Sequence, residues 1–394
     1  MNMKKVLSVL LVLSLIAAMT GCGGGTAAED GKNPDYKVAM ITDAGDITDQ
    51  SFNQITYEAM SEYCEENNIS YTYKKPDGDT DYARVAMVDV AVAEGYNIII
   101  LPGFSFAATI VEVTEKYPDV KFICLDITEG DIIAAAVGNV YYANPEAYTV
   151  TDYYNQDNTY CAVYKEAIAG YLAGYTAVKL GYHRLGYLGG QAVPAVMRFG
   201  CGYLQGIDEA AKELGVSKDV SVEYAYGGQF YGSTEITAAM DTWYSRGTEI
   251  VFACGGGIFT SAAEAAAKVG GKVIGVDSDQ SPIIDAYGAG MTVTSAMKGL
   301  GATVKAMIKS IVFDGTWEEH VGKIENLGLV SGTDMDLNYI TLPEETTQWN
   351  DNYTVDDYHE LVRKIYEGEL QISSNIEEMP AVSVSVNVRQ GTIV

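Results

Sequence analysis

The sequence predicts an α/β fold made of two similar units, each with a parallel sheet covered by helices on both faces. From Tyr36 onward, short runs rich in β-branched residues alternate with amphipathic helical segments. The runs are apolar throughout, which is typical of parallel strands that are buried on both faces. The alternation stops at residues 139–160 and then starts again, so we expect a second unit of the same kind.

The first unit is predicted to contain four strands with three helices between them. The strands are YKVAMIT (36–42), ISYTYKK (69–75), NIIILPG (97–103) and KFICLD (121–126). The helices are SFNQITYEAMSEYCEENN, DYARVAMVDVAVAEG and FAATIVEVTEKY. Residues 139–160 are rich in Tyr, Asn and Asp and lack periodicity, which indicates a connection with a surface insertion.

The second unit is predicted to begin with a helix over residues 162–181. Its strands are HRLGYLGG (183–190), VSVEYAY (220–226), EIVFAC (249–254) and KVIGVD (272–277), and its further helices are AVMRFGCGYLQGIDEAAKELG, TEITAAMDTWYSRG and FTSAAEAAAKVG. A strand and a long helix are expected over 292–315, and Thr354 with Asp357 predicts a capping box for a last helix. The final VSVSVNVRQGTIV alternates like a strand, but its pattern gives it no place.

The N-terminal residues 1–21 are predicted to be a lipoprotein signal peptide. Two lysines precede an uncharged stretch that is too short to span about 30 Å of hydrocarbon. The segment Met19-Thr20-Gly21-Cys22 resembles a lipobox, in which Cys22 would carry the lipid. The alternative is an ordinary secretory signal with a chance cysteine.

Residues 22–35 are rich in Gly and Ala and predict a flexible tether. We therefore expect the body of the protein on the extracytoplasmic face of the cell membrane, where the N-terminal lipid holds it.

The charge balance excludes whole classes of function. The 394 residues contain 25 Lys and Arg against 53 Asp and Glu, a formal net charge of −28. Nucleic acid is excluded as a partner, because its binding depends on clustered basic side chains. Three histidines in unrelated contexts offer little material for a metal site or an imidazole relay, so no metal and no cofactor are expected. The five cysteines after Cys22 have no CxxC spacing and are predicted to be buried apolar residues.

Carboxylates follow three of the predicted strands. Asp43 comes after the first strand, while Asp126 and Asp277 each end a strand. Because open parallel sheets bind ligands at the carboxyl ends of strands, these groups indicate a ligand rich in hydroxyls. Phe52 and Asn53 lie close to Asp43 at a helix start, where N-capping explains such a polar segment equally well.

Glycine motifs give weaker signals. Gly255-Gly256-Gly257 precedes a helix and could cradle an anion or allow close packing. The sequence contains neither GxGxxG nor GxxxxGK[ST], so binding of a dinucleotide or a nucleoside triphosphate is disfavoured.

Eight blocks resemble, in order, the basic membrane protein family, the lipoprotein substrate-binding components of ABC transporters that include purine nucleoside receptors. The blocks are VAMITDAGDITDQSFNQITYEAM, IIILPGFSFA, FICLD, EAIAGYLAGYTA, GGQAVPAVMRFGCGYLQG, CGGGIFTSAAEAA, KVIGVDSDQ and TSAMKG. The resemblance implies a type I periplasmic-binding-protein fold, with two Rossmann-like lobes and parallel sheets joined by a hinge. Lobe 1 would comprise residues 36–144 plus 296–335, and lobe 2 residues 145–295 plus 336–394.

The resemblance also implies which residues hold a ligand. Phe52 and Phe199 are similar to the two aromatic residues that sandwich the base from opposite lobes. Asp43 and Asp277 are similar to the carboxylates that bind the ribose hydroxyls.

Three further positions complete this implied site. Asn53 and Asp126 are similar to residues that contact the base, and Lys298 is similar to a lysine near the sugar.

The function expected from the resemblance is capture of a nucleoside, with purine favoured, and its delivery to an ABC permease and its ATPase. No enzymatic activity is expected, and the protein is expected to be a monomer. A sugar or autoinducer receptor of the same fold is one alternative, and a ligand sensor that is not coupled to transport is another. An exported nucleoside hydrolase is the least favoured alternative.

Overall fold

The computed structural model describes residues 35–43 and 45–394. The strands are β1 (Lys37–Ile41), β2 (Ser70–Lys74), β3 (Ile98–Pro102), β4 (Lys121–Leu125), β5 (Thr159–Tyr164), β6 (Arg184–Gly189), β7 (Ser221–Tyr226), β8 (Ile250–Cys254), β9 (Lys272–Asp277), β10 (Thr292–Lys298), β11 (Ile324–Leu327), β12 (Ile340–Thr341) and β13 (Ser385–Thr392). The helices are α1 (Phe52–Glu66), α2 (Asp81–Ala93), α3 (Ala107–Lys116), α4 (Glu129–Val137), α5 (Glu166–Lys179), α6 (Pro194–Leu214), α7 (Thr234–Ser245), α8 (Phe259–Ala267), α9 (Ser281–Ile284), α10 (Leu300–Lys309) and α11 (Val355–Tyr366).

The strands form two sheets. The first has the order β11-β5-β4-β3-β1-β2 and the second the order β12-β10-β9-β8-β6-β7-β13. Among the described strands every pairing is parallel except that of β12 with β10. The central strands β3 and β8 are buried along their whole length, as their continuous apolar sequences predict. The predicted α/β fold with two parallel sheets is therefore confirmed.

The chain crosses between the two sheets three times. It passes from the first sheet to the second after β5, returns between β10 and β11, and crosses again between β11 and β12. Two strands lie in a different sheet from the one that the predicted lobe boundaries would give. Pairing places β5 in the first sheet, although lobe 2 was predicted from residue 145, and β10 in the second sheet, although lobe 1 was predicted to resume at residue 296.

The largest difference from the predicted elements lies around β5. The prediction of a helix from residue 162 is wrong at its start, because residues 162–164 belong to β5 and α5 begins only at Glu166. Residues 139–158 form short 3-10 turns. The helix α4 and the strand β11 were not predicted, while the capping box of Thr354 and Asp357 is confirmed.

Helices α5 and α6 pack with their backbones in contact. A Cβ atom on Gly170, Gly174, Gly202 or Gly206 would lie 2.0–2.3 Å from a backbone oxygen of the other helix. Glycine is the residue that permits such an approach. This close packing fixes the position of Phe199, because its carbonyl oxygen is the atom that Gly170 approaches.

The five cysteines of the described chain are buried and free, as predicted: Cys64, Cys124, Cys161, Cys201 and Cys254. Over residues 35–43 and 45–394, no helix is both long and apolar enough to cross a bilayer. The predicted signal peptide and Cys22 lie outside the described residues.

Candidate functional site

The predicted carboxylates lie where strands of both sheets end. Asp43 follows β1 after one residue, Asp126 directly follows β4, and Asp277 is the last residue of β9. Asp126 and Asp277 have φ angles of 58° and 66°, a left-handed conformation that is costly for residues other than glycine. Backbone outliers of this kind cluster at functional sites.

Lys298 lies at the centre of a buried cluster of charges. It ends β10, and its ammonium forms an ion pair with Asp126 and a second one with Glu166, 3.3 Å away. Arg198 Nε donates a hydrogen bond of 2.5 Å to the other oxygen of Glu166. The Glu166 side chain has no exposed surface. Cations and carboxylates therefore alternate from Asp126 to Arg198, which offsets the cost of burying them.

Three aromatic rings surround the same ammonium. The ring centroids of Phe52, Tyr164 and Phe199 lie 5.5, 5.6 and 5.4 Å from Lys298 Nζ. The half of the molecule that contains the first sheet is called the first half, and the half that contains the second sheet is called the second half. Phe52 begins α1 in the first half, and Phe199 belongs to α6 in the second half. The structure thus brings the two predicted phenyl rings to one point. The Phe199 ring also packs edge-on against Phe252 and is only 2% exposed.

Two of the predicted site residues carry a buried acceptor atom that has no hydrogen-bond partner among the described residues. The Asn53 amide nitrogen donates to Asp43 and to Asp49, at 2.9 Å each. This leaves Asn53 Oδ1 buried without a hydrogen-bond partner among the described residues, and Asp126 Oδ1 is in the same condition. Because an unpaired buried acceptor is costly, these two oxygens are suited to N–H or O–H donors of a ligand.

Burial changes the ionisation of the cluster. It raises the pKa of Asp43 and Asp277, and it raises the pKa of Asp126 to about 6 although Lys298 acts against the shift. Burial acts to lower the pKa of Lys298, but the carboxylates of Asp126, Glu166 and Asp277 outweigh it, so this pKa is raised. Lys298 remains charged, and the surplus of carboxylates favours a ligand that brings hydrogen-bond donors rather than negative charge.

Other candidates have structural roles. The Asp49 carboxylate caps α1, because it accepts hydrogen bonds from the backbone N–H groups of Ser51, Asn53 and Gln54 at 2.9–3.1 Å. Gly255 and Gly256 serve close packing, since a Cβ atom on them would lie 2.8 and 2.6 Å from atoms of Phe230. No group of His, Cys, Asp and Glu that could hold a metal ion occurs in the part of the chain that the structure describes.

Sequence reasoning missed Tyr164, Glu166 and Arg198. The first two lie at the junction of β5 and α5, which the predicted helix over residues 162–181 obscured. A signal was present, because Glu166 is an isolated acidic residue at the start of an otherwise apolar helical segment. Arg198 precedes Phe199 directly, but only the contact between α5 and α6 brings it to Glu166.

The family model of ABC transporter substrate-binding proteins described as PnrA-like, named Bmp, matches residues 36–375. The chain belongs to this family. Among its relatives, the ABC transporter nucleoside-binding protein BmpA of Lactococcus lactis is 28% identical over 323 residues, which cover 77% of this chain and 83% of the relative. An uncharacterised lipoprotein of Pyrococcus abyssi is 27% identical over 326 residues, which cover 81% of this chain and 73% of the relative.

Solved structures confirm the fold expected of a Bmp protein. A solute-binding protein of an ABC transporter system from Aeropyrum pernix superposes with a TM-score of 0.61 at 22% identity, over 85% of this chain and 87% of that one. A corresponding protein from Conexibacter woesei gives a TM-score of 0.62 at 21% identity, over 86% and 99% of the two chains. The chain has the type I periplasmic-binding-protein fold, and the role of its family is substrate binding for ABC transporters, which is not enzymatic.

Proposed function

We propose that this protein binds a nucleoside, with purine favoured, between Phe52 and Phe199 and delivers it to an ABC permease. The observation that carries the proposal is the convergence of these two rings, from different halves of the molecule, within 5.5 Å of the same ammonium nitrogen. A flat base between two phenyl rings gains roughly 1–3 kcal/mol of stacking free energy. The name of the Lactococcus lactis relative, a nucleoside-binding protein, supports the same class of ligand.

The roles of the polar residues follow the resemblance to the family. Asp43 and Asp277 accept hydrogen bonds from the ribose hydroxyls, and Lys298 lies near the sugar. Asn53 and Asp126 contact the base, and their unpaired oxygens suit its N–H groups. Hydrogen bonds from neutral hydroxyls to carboxylates are among the stronger ones, so a ribose is well retained without any charge on the ligand.

The lipid anchor belongs to the same proposal. Cys22 carries the lipid, and the tether of residues 22–35 connects it to β1, which begins at Lys37. Relatives in Pyrococcus abyssi and Pyrococcus horikoshii are named lipoproteins, which supports this assignment. The ligand would then be captured outside the membrane and close to the permease.

Isothermal titration tests the ligand class. We expect the purified protein to bind inosine, guanosine or adenosine more tightly than uridine, and not to bind ribose or galactose. Mass spectrometry of the denatured protein identifies any nucleoside that co-purifies. Binding of a sugar without binding of any nucleoside would overturn the proposal in favour of a sugar receptor.

Cys22→Ala tests the anchor. In the producing cell, labelling with a radioactive or alkyne fatty acid should be lost in this variant, and the protein should leave the membrane fraction. Cys201→Ala is the matched control, because Cys201 is buried in α6 and should not affect labelling. Lipid labelling that persists in Cys22→Ala would show that the lipobox prediction is wrong.

A further inference from the structure

Two short segments meet across the boundary between the two halves. Gln50 and Ser51 precede α1 in the first half, while Asp277 and Gln280 lie at the end of β9 and just after it in the second half. Ser51 Oγ donates a hydrogen bond of 2.7 Å to Asp277 Oδ2. Gln280 Nε2 donates a hydrogen bond of 3.0 Å to the carbonyl oxygen of Gln50. Both bonds run from protein to protein, so neither needs a ligand.

Gln280 is held in the orientation that this contact requires. Its Oε1 accepts a hydrogen bond of 2.9 Å from the backbone N–H of Val276, and its own backbone N–H donates to Ser295 Oγ at 3.1 Å. The residue has no exposed surface. With one end of the amide fixed inside the second half, the other end points to the first half, and little side-chain entropy remains to be lost on contact.

Gln50 is held from the other side. Its φ of 59° is unfavourable for a residue other than glycine, and its backbone N–H donates to Gln54 Oε1 at 3.0 Å. This turn presents the Gln50 carbonyl and the Ser51 hydroxyl together. The Ser51 side chain makes no capping bond to α1, so the hydroxyl is available for Asp277. Backbone strain of this kind persists where the arrangement has a use.

We propose that Gln50 and Ser51, together with Asp277 and Gln280, form a latch that favours the closed arrangement of the two halves even when no ligand is bound. The latch populates the closed arrangement in the free protein, so a ligand has to supply less free energy to complete closure. Ser51 and Gln280 are therefore positioning residues, which affect affinity without touching the ligand. The inference does not depend on the class of ligand.

Small-angle X-ray scattering of the ligand-free protein tests the latch. Ser51→Ala removes one bond from the first half. Gln280→Glu removes the other bond, from the second half. It keeps the acceptor for the Val276 N–H but replaces the donor that faces Gln50 with a carboxylate oxygen. Ser51→Ala should shift the ratio of closed to open molecules several-fold, up to about tenfold, because one hydrogen bond is lost. Gln280→Glu should shift it further, because a buried carboxylate oxygen would then face the Gln50 carbonyl oxygen. The radius of gyration should therefore increase in both.

Gln205→Glu is the matched control. Gln205 has a similar pattern of bonds, since its Oε1 accepts from the backbone N–H of Ser373 and its Nε2 donates to the carbonyl oxygens of Ser373 and Cys201. All of these partners lie within the second half. The radius of gyration of Gln205→Glu should equal that of the wild type. If Ser51→Ala and Gln280→Glu also scatter like the wild type, or if Gln205→Glu expands as much as they do, the latch is refuted. Circular dichroism melting confirms that each variant is folded.

Discussion

The ammonium of Lys298 is buried, yet it stays charged because carboxylates and aromatic faces surround it. Removing a charge from water costs several kcal/mol, so the paired carboxylates of Asp126 and Glu166 are what make this position tenable. The same contacts fix the lysine against both phenyl rings. At the scale of single residues, the site is therefore organised around a cation that no ligand has to supply.

Phe52→Ala should weaken nucleoside binding by about 1–3 kcal/mol, because one stacking face is lost. Phe52 is the better choice for this test, since truncating the buried Phe199 would also open a cavity beside Phe252 and cost about 3–5 kcal/mol of stability. Titration with inosine measures the effect. Phe313→Ala, at a phenylalanine that is 51% exposed, is the control and should bind normally. Equal affinity in Phe52→Ala would remove that ring from the site.

Asp126 should make stability depend on pH. Burial raises its pKa to about 6 in the folded protein, above the value of 3.8 for an exposed aspartate. The folded protein thus binds a proton here that the unfolded chain does not, so this contribution to stability grows as the pH falls through about 6 and is lost as the pH rises. Between about pH 7 and pH 5, the wild type should gain about 1 kcal/mol of unfolding free energy over Asp126→Asn.

Urea denaturation at the two pH values measures the Asp126 effect. Asp126→Asn cannot take up the proton, so the comparison isolates one group from the other carboxylates that titrate in this range. If the difference in unfolding free energy between the wild type and Asp126→Asn is the same at both pH values, the raised pKa of Asp126 is contradicted.

At the scale of secondary structure elements, the helices near the site are placed by local sequence and by backbone contact. The glycines of α5 and α6 bring these two helices together, and with them Glu166 and Arg198. The helix α1 begins where the Asp49 carboxylate takes up three backbone N–H groups, which orients Phe52 and Asn53. The capping interpretation of the segment after β1 is therefore right for Asp49, while Asp43 accepts a hydrogen bond from the Asn53 amide.

Thr354→Ala should destabilise the protein by about 1 kcal/mol, because Thr354 and Asp357 form the capping box of α11. This helix packs into the core through Tyr358, whose hydroxyl accepts a hydrogen bond from the backbone N–H of Leu342. Denaturant unfolding measures the loss. Thr354→Ser keeps the hydroxyl and should retain most of the stability, so equal destabilisation in both variants would argue against the cap as the cause.

At the scale of the whole molecule, charge and connectivity set what the protein can bind. Three crossings connect the two sheets, and the whole chain carries a formal net charge of −28. Two halves joined in this way can move as rigid bodies about the crossings. The surplus of negative charge acts over a Debye length and disfavours anionic ligands.

Inosine should therefore bind more tightly than inosine monophosphate, by about tenfold or more, because the phosphate would approach uncompensated carboxylates. Titration of both ligands measures the difference. Raising the ionic strength from about 0.05 M to about 0.5 M should reduce the difference in affinity between inosine and inosine monophosphate, since salt screens the long-range part of the repulsion. Equal or tighter binding of inosine monophosphate would contradict the inference that the protein disfavours anionic ligands.

The alternation of apolar strands with amphipathic helices was enough to predict the α/β fold, and eight sequence blocks were enough to predict the family. Both predictions depend on patterns formed by residues that are close together in the sequence. The wrong prediction of a helix at β5 also came from relying on a local pattern. Its sequence TYCAVY follows a Tyr-rich segment and runs into the apolar α5, and periodicity alone does not separate a short buried strand from a helix.

The sequence by itself determined the type of fold, the residues at the strand ends and the net charge. Only the tertiary structure decided that Glu166 and Arg198 join Lys298, that Asp49 caps a helix, and that Ser51 contacts Asp277. Ser51 and Asp277 lie 226 positions apart in the sequence. The physical reason is that side-chain pairing depends on which elements become neighbours, and close backbone packing and sheet order settle that only when the whole chain has folded.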